Sequence, residues 1–504
     1  MIPDYLDEIL KAQVYDVAVE TPLEYASRLS DRVGNKVSFK REDLQSVFSF
    51  KLRGAYNKIS KLAAADRDRG VICGSAGNHA QGVSLAAKKF QIRAVVVMPV
   101  TTPTIKIDAV RELGGEVILH GSTYDDAYDR AVRLANEQGL VFIHPFDDPD
   151  VIAGQGTIGM EIHQQHAGHV DAVFVPIGGG GLISGIAEYL KARSPDTGII
   201  GVEPEESASM FAALAAGRPV TLDHVGIFAD GVAVRRVGDE TFRICQERVD
   251  EIVLVSTDEI CAAVQDIFED TRAIVEPAGA LAVAGMKRWI ADNEIVNQAL
   301  VAVNCGANVN FDRLRHIAER AALGEQREAL LAVEIPEKRG SFLAFCGALG
   351  KRNVTEFNYR FGDKKTARIF VGVELRHGNA ERQEIITALE KSGYAVIDLS
   401  NDEMAKLHIR HMVGGQAPGI ENERLYRFEF PERPGALLTF LTAIGRQWNI
   451  SLFHYRNHGS DYGRVLTGAQ VPEAEQQEFD QHLQDLGYPY WDESDNPAYR
   501  MFLA

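Results

Sequence analysis

The stretch Ser49-Phe50-Lys51-Leu52-Arg53-Gly54-Ala55-Tyr56 places a lysine between an aromatic residue and a helical run from Ala55 to Ala65. A lysine at such a boundary can be partly desolvated, which lowers its pKa and yields the neutral amine that attacks carbonyl groups. A Schiff base with an aldehyde cofactor requires that amine. Because most Lys-x-Arg pairs are solvated helix starts, the stretch gains meaning only together with the motifs that follow it.

The length and charge of the chain limit the classes of protein to consider. Its 504 residues are too many for one ordinary domain and indicate about three. The composition is 45% hydrophobic and 25% charged, as in globular proteins with a sizeable core. The net charge of −18 argues against nucleic acid or an anionic membrane as the main partner. An anionic ligand would need a local basic or amide-lined site.

The cysteines and the N-terminus predict a cytoplasmic protein. The five cysteines are scattered without CxxC spacing, which predicts reduced thiols and no disulfide framework or zinc site. Met1 to Tyr5 lack the basic and apolar regions of a signal peptide, and no apolar run approaches membrane-spanning length.

Strand-like runs alternate with helical patterns before residue 323, starting with a helix predicted over Tyr5–Val14. Continuous apolar runs such as Val173–Val175, separated by amphipathic helices, indicate parallel strands covered on both faces. An α/β fold of two lobes follows, with ligands beyond the carboxyl ends of strands. The predicted strands are Lys36–Arg41, Gly70–Gly74, Arg93–Met98, Glu116–Leu119, Val141–His144, Ala172–Ile177, Gly198–Val202, Glu251–Val255 and Ala299–Asn304.

Small and polar residues follow one of these strands in the loop Gly74-Ser75-Ala76-Gly77-Asn78-His79. Small residues let the backbone approach a ligand, and a helix that starts here leaves N–H groups facing an anion such as a carboxylate. The asparagine can hydrogen-bond a ring hydroxyl. An ordinary Ser/Asn helix cap with a satisfied His79 is the alternative.

A second loop, Gly178-Gly179-Gly180-Gly181-Leu182, precedes a helix predicted to begin near Ile183. Successive unhindered amides at a helix N-terminus form an anion-binding nest. Ile183 stands where the last glycine of a dinucleotide-binding motif belongs, and no Lys-Ser/Thr pair follows as in a P-loop. The loop therefore predicts a phosphate site that is not one for NAD or ATP.

Five motifs occur in order: Ser-Phe-Lys-x-Arg-Gly, Ser-Ala-Gly-Asn-His-Ala, Gly-Gly-Gly-Gly-Leu, Glu276-Pro277-Ala278-Gly279-Ala280 and Cys305-Gly-Ala-Asn. Together they resemble the pyridoxal-phosphate enzymes of fold type II, specifically the biosynthetic threonine deaminases, over nearly the full chain. The resemblance implies that Lys51 forms the Schiff base and that Asn78 contacts the ring hydroxyl. The implied cofactor-binding residues are Lys51, Phe50, Asn78, Gly178, Gly179, Gly180, Gly181, Leu182 and Cys305, and the implied substrate-binding residues are Ser75, Ala76, Gly77, Asn78 and His79.

The resemblance also implies the chemistry. Free Lys51 would take the Cα proton, and the cofactor phosphate would assist departure of the β-hydroxyl. Cys305 stands where many relatives have serine, facing the pyridine nitrogen, and a neutral thiol would not hold that nitrogen protonated. Ala76 replaces the second serine of serine racemases, which argues against racemisation. Glu203 and the residues after it resemble a metal site of some relatives, but Ser209 replaces an expected carboxylate ligand, so we expect no divalent metal there.

Two similar segments follow the α/β region. EIPEKRG from Glu334 matches EFPERPG from Glu429, and NVTEFNYR from Asn353 matches NISLFHYR from Asn449. Each copy reads strand, helix, strand, strand, helix, strand. An inert duplicated packing module is one interpretation. The resemblance implies paired ACT-like regulatory domains that bind branched-chain amino acids, with Tyr359, Tyr455 and Arg456 as candidate effector residues.

We therefore predict a fold type II catalytic domain at 1–323 followed by ACT-like domains at 329–401 and 424–504. The expected function is deamination of L-threonine to 2-oxobutanoate with pyridoxal 5′-phosphate, feedback-regulated by isoleucine and valine in a cytoplasmic homotetramer. A serine dehydratase of the same fold is one alternative. A non-catalytic amino-acid sensor is another, although the intact Lys51 and both cofactor loops speak against it.

Overall fold

The computed structural model describes residues 4–121, 123–338, 340–361, 365–415, 417, 420–431, 438, 440–442, 447–456 and 462–503. The chain divides into two compact units, Met1–Ala321 and Ala322–Ala504. Within the described ranges, no helix combines the length and the apolar character needed to cross a membrane.

The N-terminal unit alternates strands and helices, as predicted. Its strands are β1 (Leu23–Tyr25), β2 (Lys36–Arg41), β3 (Val71–Gly74), β4 (Ala94–Met98), β5 (Glu116–Leu119), β6 (Val141–Phe142), β7 (Ala172–Pro176), β8 (Gly198–Pro204), β9 (Glu251–Val255) and β10 (Ala299–Asn304). Its helices are α1 (Tyr5–Leu10), α2 (Ser27–Val33), α3 (Lys51–Ser60), α4 (Ala64–Arg69), α5 (Asn78–Phe90), α6 (Thr104–Glu112), α7 (Tyr124–Gln138), α8 (Pro149–Gln165), α9 (Gly181–Arg193), α10 (Ser209–Ala216), α11 (Asp239–Arg248), α12 (Thr257–Thr271), α13 (Pro277–Asn293) and α14 (Arg313–Gly324), the last of which crosses the boundary between the units.

Two sheets form the predicted lobes. The larger has the order β1-β2-β10-β7-β8-β9 and the smaller the order β5-β4-β3-β6. All neighbouring strands within them are parallel except β1, which pairs antiparallel with β2. Along β7, Phe174 packs into one buried cluster, and Val173 and Val175 pack into another. Because strand side chains alternate between faces, this places apolar layers on both faces of the larger sheet.

Several helix bounds differ from the sequence expectations. Helix α1 ends at Leu10 rather than continuing to Val14, which is buried in a small cluster with Val47 and Leu52. Helix α3 begins at Lys51 rather than near Ala55, and α9 begins at Gly181 rather than near Ile183. These two earlier starts place Lys51 and Gly181, the last glycine of its loop, in first helical turns, where backbone N–H groups lack intrahelical partners.

The C-terminal unit contains the two similar segments. Its strands are β11 (Glu328–Pro336), β12 (Val354–Arg360), β13 (Thr366–Glu374), β14 (Ala395–Asp398), β15 (Glu423–Pro431), β16 (Asn449–Arg456), β17 (Tyr462–Gln470) and β18 (Tyr490–Asp492), and its helices are α15 (Ser341–Leu349), α16 (Gly378–Lys391), α17 (Glu403–Leu407), α18 (Gln476–Asp485) and α19 (Pro497–Phe502). The first copy has the predicted order of elements. The first helix predicted for the second copy falls mostly outside the described residues.

One eight-stranded sheet joins the two copies, in the order β14-β11-β13-β12-β16-β17-β15-β18. The junction is the antiparallel pair β12–β16, in which Phe357 lies opposite Tyr455 and Tyr359 opposite Phe453. One buried cluster contains residues of both copies, including these four aromatic side chains. The copies therefore share one sheet and one core.

Candidate active site

A cavity of 780 Å³ lies at the carboxyl ends of β3, β7 and β10. Parallel strands place their carboxyl ends at one edge, where ligands of open α/β sheets bind. Every cofactor- and substrate-binding residue expected from the sequence lines this cavity: Phe50, Lys51, Ser75, Ala76, Gly77, Asn78, His79, Gly178, Gly179, Gly180, Gly181, Leu182 and Cys305. The roles expected for them stay proposals.

Lys51 is the first residue of α3. Its Nζ donates a hydrogen bond to the Pro145 carbonyl at 3.0 Å and lies 5.2 Å from the centre of the Phe50 ring. Burial lowers the pKa of Lys51 to about 8, although Cys305 and Glu276 act in the opposite direction. A lysine with this pKa carries an appreciable fraction of neutral amine near neutral pH, as nucleophilic attack on an aldehyde requires.

Arg53, two residues further along α3, holds the helix to two other elements. Its guanidinium donates to Glu42 after β2, at 2.8 Å from both Nε and Nη2, and to Glu161 on α8, at 2.6 and 3.0 Å. Lys40 also pairs with Glu161, and all four side chains are fully buried. Burial alone would raise the pKa of Glu42, but the charge and hydrogen bonds of Arg53 hold it below its usual value. The sequence motif contained Arg53, but nothing in it identified the two acidic partners.

The loop from Ser75 to His79 joins β3 to α5. The Ser75 hydroxyl accepts a hydrogen bond from the Gly77 N–H at 3.3 Å, and Asn78 begins the helix. The N-terminal N–H groups of a 13-residue helix favour an anion such as a substrate carboxylate.

The ring of His79 is committed to the backbone. Its Nε2 lies 2.9 Å from the Ile143 carbonyl, and because a carbonyl only accepts, Nε2 carries the proton. Burial and the nearby Lys51 lower the pKa of His79 to about 3. A neutral ring held in this way secures the segment before Pro145 and gives the loop no positive charge for a carboxylate.

The glycine loop lies between β7 and α9. A Cβ on Gly179 would lie 2.2 Å from the Phe146 ring, and one on Gly180, whose φ is +98°, would lie 2.8 Å from Thr241 Cβ. The N–H groups of Gly179, Gly180 and Gly181 donate to no acceptor among the described residues. Unpaired N–H groups at a helix N-terminus, in a cradle that side chains would fill, suit a phosphate.

Cys305 follows β10 and is buried. Its thiol donates to the Ala278 carbonyl at 3.3 Å, and burial raises the pKa of the thiol well above its ordinary value. Cys305 is therefore a neutral thiol on the cavity wall. Its proton is directed to the protein backbone.

Glu276 lines the same cavity, and the sequence gave it no role. Its Oε1 accepts a hydrogen bond from Asn78 Nδ2 at 2.6 Å, although 198 positions separate the two residues. Burial raises the pKa of Glu276 to about 7, and Asp230 acts in the same direction. Its place in the Glu-Pro-Ala-Gly-Ala motif was the one signal that could have identified it.

Glu203 accepts hydrogen bonds from the N–H groups of Met210 and Phe211, both at 2.8 Å. It therefore caps the first turn of α10. Across the described ranges, no group of three or more histidine, cysteine or acidic side chains is arranged to hold a metal ion.

In the C-terminal unit, a second cavity of about 20 Å³ lies at the junction of the two copies, and Glu337, Tyr359 and Asn449 line it. The Tyr359 hydroxyl donates to Glu337 Oε2 at 2.6 Å, and Asn449 Nδ2 donates to Glu337 Oε1 at 3.4 Å. Arg360 instead pairs with Glu423. Tyr455 is buried in β16, and the side chain of Arg456 lies outside the described residues.

Comparisons with known proteins cover both units. The family described as pyridoxal-phosphate dependent enzyme matches residues 14–306, and the C-terminal regulatory domain of threonine dehydratase matches residues 319–409 and 414–503. Biosynthetic L-threonine dehydratases of Burkholderia multivorans and Escherichia coli are 57% and 56% identical, over 99% of this chain and 99% and 97% of their own. The processed form of threonine deaminase isoform 2 from Solanum lycopersicum is 53% identical, with a TM-score of 0.62, over 63% of this chain and 92% of that one.

Proposed function

The chain belongs to the pyridoxal-phosphate-dependent biosynthetic threonine dehydratases, and from this membership we propose that it converts L-threonine to 2-oxobutanoate and ammonia as the first step of isoleucine biosynthesis. The observation that carries the proposal is the single cavity that unites Lys51, the glycine loop and the Ser75–His79 loop.

The residues present fit pyridoxal 5′-phosphate. Lys51 offers a desolvated amine to its aldehyde, and the unpaired amides of Gly179 to Gly181 offer donors to its phosphate. Asn78 would contact the ring hydroxyl, and the neutral thiol of Cys305 would face the ring nitrogen without adding a charge. When bound, the cofactor supplies an electron sink that makes the Cα proton of an amino acid removable.

The chain's own groups would then orient the substrate and move its protons. The backbone N–H groups at the start of α5 would hold the carboxylate of threonine. Lys51 Nζ, with its lowered pKa, would accept the Cα proton because its neutral form is accessible near neutral pH. His79 would hold the carbonyl of Ile143 throughout, since its ring stays neutral.

The test compares the purified chain with its Lys51→Ala variant. The unmodified chain, loaded with cofactor, should form 2-oxobutanoate from threonine, and the variant should lose turnover by orders of magnitude. The variant should also lose the cofactor that borohydride attaches covalently to the unmodified chain. Lys58→Ala, a change of another lysine on α3 that pairs with Asp148 and Asp150, is the matched control. Normal deamination by Lys51→Ala would exclude the assignment.

The same assay separates the two alternatives. A serine dehydratase would process serine with a higher kcat/KM than threonine, and a non-catalytic sensor would process neither. Equal enzyme and cofactor concentrations make the two substrates directly comparable.

We also propose that isoleucine and valine regulate the enzyme through the C-terminal unit. The cavity at Glu337, Tyr359 and Asn449 joins the two copies and has room for about one water molecule. An amino acid could enter only if the surrounding elements moved apart. The effector would then bind only the open conformation of the C-terminal unit and so increase its population. A coupling free energy of ~1–3 kcal/mol between effector and substrate binding would correspond to a 5–150-fold effect.

Regulation is tested by threonine turnover against isoleucine concentration. Tyr359→Phe removes the hydroxyl that bonds Glu337 and should raise the isoleucine concentration at half-inhibition, with turnover in the absence of effector within about twofold. Tyr455→Phe and Arg456→Ala test the second copy. The control is Tyr394→Phe, because Tyr394 packs against Phe345 and does not line this cavity. Unchanged inhibition in all three variants would place the effector site elsewhere.

A cytoplasmic location and a homotetramer complete the proposal. The first is supported by the five cysteines, which are all buried and form no disulfide among the described residues, as suits a reducing compartment. Sedimentation of the purified enzyme with and without isoleucine would measure the second.

A further inference from the structure

A directed chain of hydrogen bonds runs along the wall of the catalytic cavity. Asn308 Nδ2 donates to the Val47 carbonyl at 2.9 Å and to Asn78 Oδ1 at 2.7 Å. Asn78 Nδ2 then donates to Glu276 Oε1 at 2.6 Å. The three side chains come from the segment after β10, the start of α5 and the residue before α13, so only the folded chain assembles them.

The direction of this chain is fixed by the Val47 carbonyl. The Val47 carbonyl can only accept, so the end of Asn308 that faces it must be the NH₂ group. The atom of Asn78 that faces that NH₂ group must then be its oxygen, and its nitrogen faces Glu276. Turning either amide over would set two donors or two acceptors against each other, and an unpaired buried polar group costs about 1–3 kcal/mol.

Close packing holds the carboxyl of Glu276 in place. A Cβ on Gly306 would lie 2.4 Å from Glu276 Oε1 and 3.2 Å from Asn78 Nδ2. The backbone N–H of Glu276 donates to the Gly306 carbonyl at 3.1 Å, and a Cβ on Gly279 would lie 2.1 Å from that same oxygen. The carboxyl of Glu276 therefore has no free volume on the side of Gly306 into which it could move away from Asn78.

We propose that Glu276 and Asn308 are positioning residues that fix Asn78 as a hydrogen-bond donor, and not an acceptor, toward the bound cofactor. An amide nitrogen carries two N–H groups, and Glu276 takes one of them. The second is left for the cavity, where it suits the ring hydroxyl oxygen in its ionised form. This inference rests on the proposed function and adds to it the two residues that decide the polarity of the contact.

The test compares Glu276→Leu, which removes the acceptor, with Glu276→Gln, which keeps an oxygen able to accept from Asn78. Equilibrium dialysis measures the affinity for pyridoxal 5′-phosphate, and absorbance reports the ionisation of the bound ring hydroxyl. Glu276→Leu should bind the cofactor about tenfold more weakly, because the Asn78 amide is then held at its oxygen alone and its second N–H is no longer aimed into the cavity. Its absorbance should shift toward the species with a protonated ring hydroxyl. Glu276→Gln should stay within about threefold of the unmodified chain.

A second variant disturbs the chain from its other end. In Asn308→Asp the Asn78 amide faces a carboxylate on each side, so neither of its two orientations is matched at both ends and its N–H is no longer held toward the cavity. The affinity and the spectrum should change as in Glu276→Leu. This variant keeps the proposal testable if Glu276→Leu does not fold, because Asn308 is only partly buried.

The control is Glu203→Leu, which removes another buried carboxylate whose pKa burial raises to about 7 but which does not line the cavity. It should lower the thermal midpoint and leave the spectrum unchanged. Normal affinity and spectrum in both Glu276→Leu and Asn308→Asp would overturn the inference, as would equal spectral changes in Glu203→Leu. If the unmodified chain neither bound the cofactor nor deaminated threonine, the proposed function itself would fail.

Discussion

Replacing Arg53 with methionine should destabilise the N-terminal unit through the charges that it leaves behind. The substitution keeps an apolar chain of similar length and removes every hydrogen bond that the guanidinium makes to Glu42 and Glu161. Lys40 then remains as the one cation among these four fully buried side chains, facing two carboxylates. Breaking a buried ion pair on one side costs about 3–5 kcal/mol, because the remaining charge is uncompensated.

The corresponding change in melting temperature follows from the size of the unit. For Met1–Ala321, an unfolding entropy of about 2.1 cal/mol/K per residue gives about 0.7 kcal/mol/K. A loss of about 3–5 kcal/mol then lowers the midpoint by about 4–7 °C. Calorimetry of the cofactor-free chain measures this shift without a contribution from ligand binding.

A double variant separates charge imbalance from lost packing. Arg53→Met combined with Glu161→Gln leaves Lys40 opposite Glu42 alone, so the charges balance again. The double variant should therefore be more stable than the sum of its single changes predicts.

Arg93→Met is the control, since its ion pair with Glu116 is exposed and contributes about 0–1 kcal/mol. Melting of Arg53→Met within 1 °C of Arg93→Met would contradict this explanation. A double variant no more stable than the sum of its single changes predicts would contradict it as well.

Three further outcomes are expected in the cavity. Capture of pyridoxal 5′-phosphate by the cofactor-free chain should accelerate as the pH rises through about 8, because burial lowers the pKa of Lys51 to that value and only the neutral amine attacks. Stopped-flow absorbance measures the rate of capture, and a rate that does not change with pH would contradict the assignment. Gly179→Ala should weaken cofactor affinity by about 10–100-fold, as expected for loss of a hydrogen bond to a charged group. The cause is steric, since the added Cβ would lie 2.2 Å from the Phe146 ring. Dialysis should therefore show that the double variant Gly179→Ala with Phe146→Ala regains part of the affinity that Gly179→Ala loses. Cys305→Ser should stay active, whereas Cys305→Asp should place a charge at the ring nitrogen and change the absorbance during turnover. Identical spectra in the two variants would mean that this side chain does not touch the ring.

Periodicity along the sequence was sufficient for nine of the ten strands that the structure describes in the N-terminal unit, and only β1 was not predicted. Four of the nine predicted strands, Lys36–Arg41, Glu116–Leu119, Glu251–Val255 and Ala299–Asn304, have the predicted bounds, and the others differ by at most two residues. A strand buried on both faces needs a continuous apolar run, and such a run can be recognised from neighbouring residues alone. Helix starts were predicted less accurately, because Lys51 and Gly181 begin helices without a side-chain cap.

The motifs identified residues that line one cavity, but not how those residues are connected. The sequence by itself placed Lys51, Asn78, the glycine loop and Cys305 at strand or helix ends, where the carboxyl edge of a parallel sheet gathers them. It gave no partner for Arg53, no role for Glu276 or Asn308, and no fixed proton for His79. Most of those depend on contacts between distant positions, 64 residues apart for His79 and Ile143, 108 for Arg53 and Glu161, and 230 for Asn78 and Asn308.

The same division holds in the C-terminal unit. The internal similarity predicted two copies of one fold, because a repeat is visible in the order of residues. Only the tertiary structure decided that β12 pairs with β16, that the copies share one core, and that Tyr359 of one copy and Asn449 of the other reach the same carboxylate of Glu337. Each copy has an edge strand, β12 or β16, that no other strand of the same copy covers on one side. Which partner covers such an edge depends on how much apolar surface the contact buries and how many backbone hydrogen bonds it satisfies.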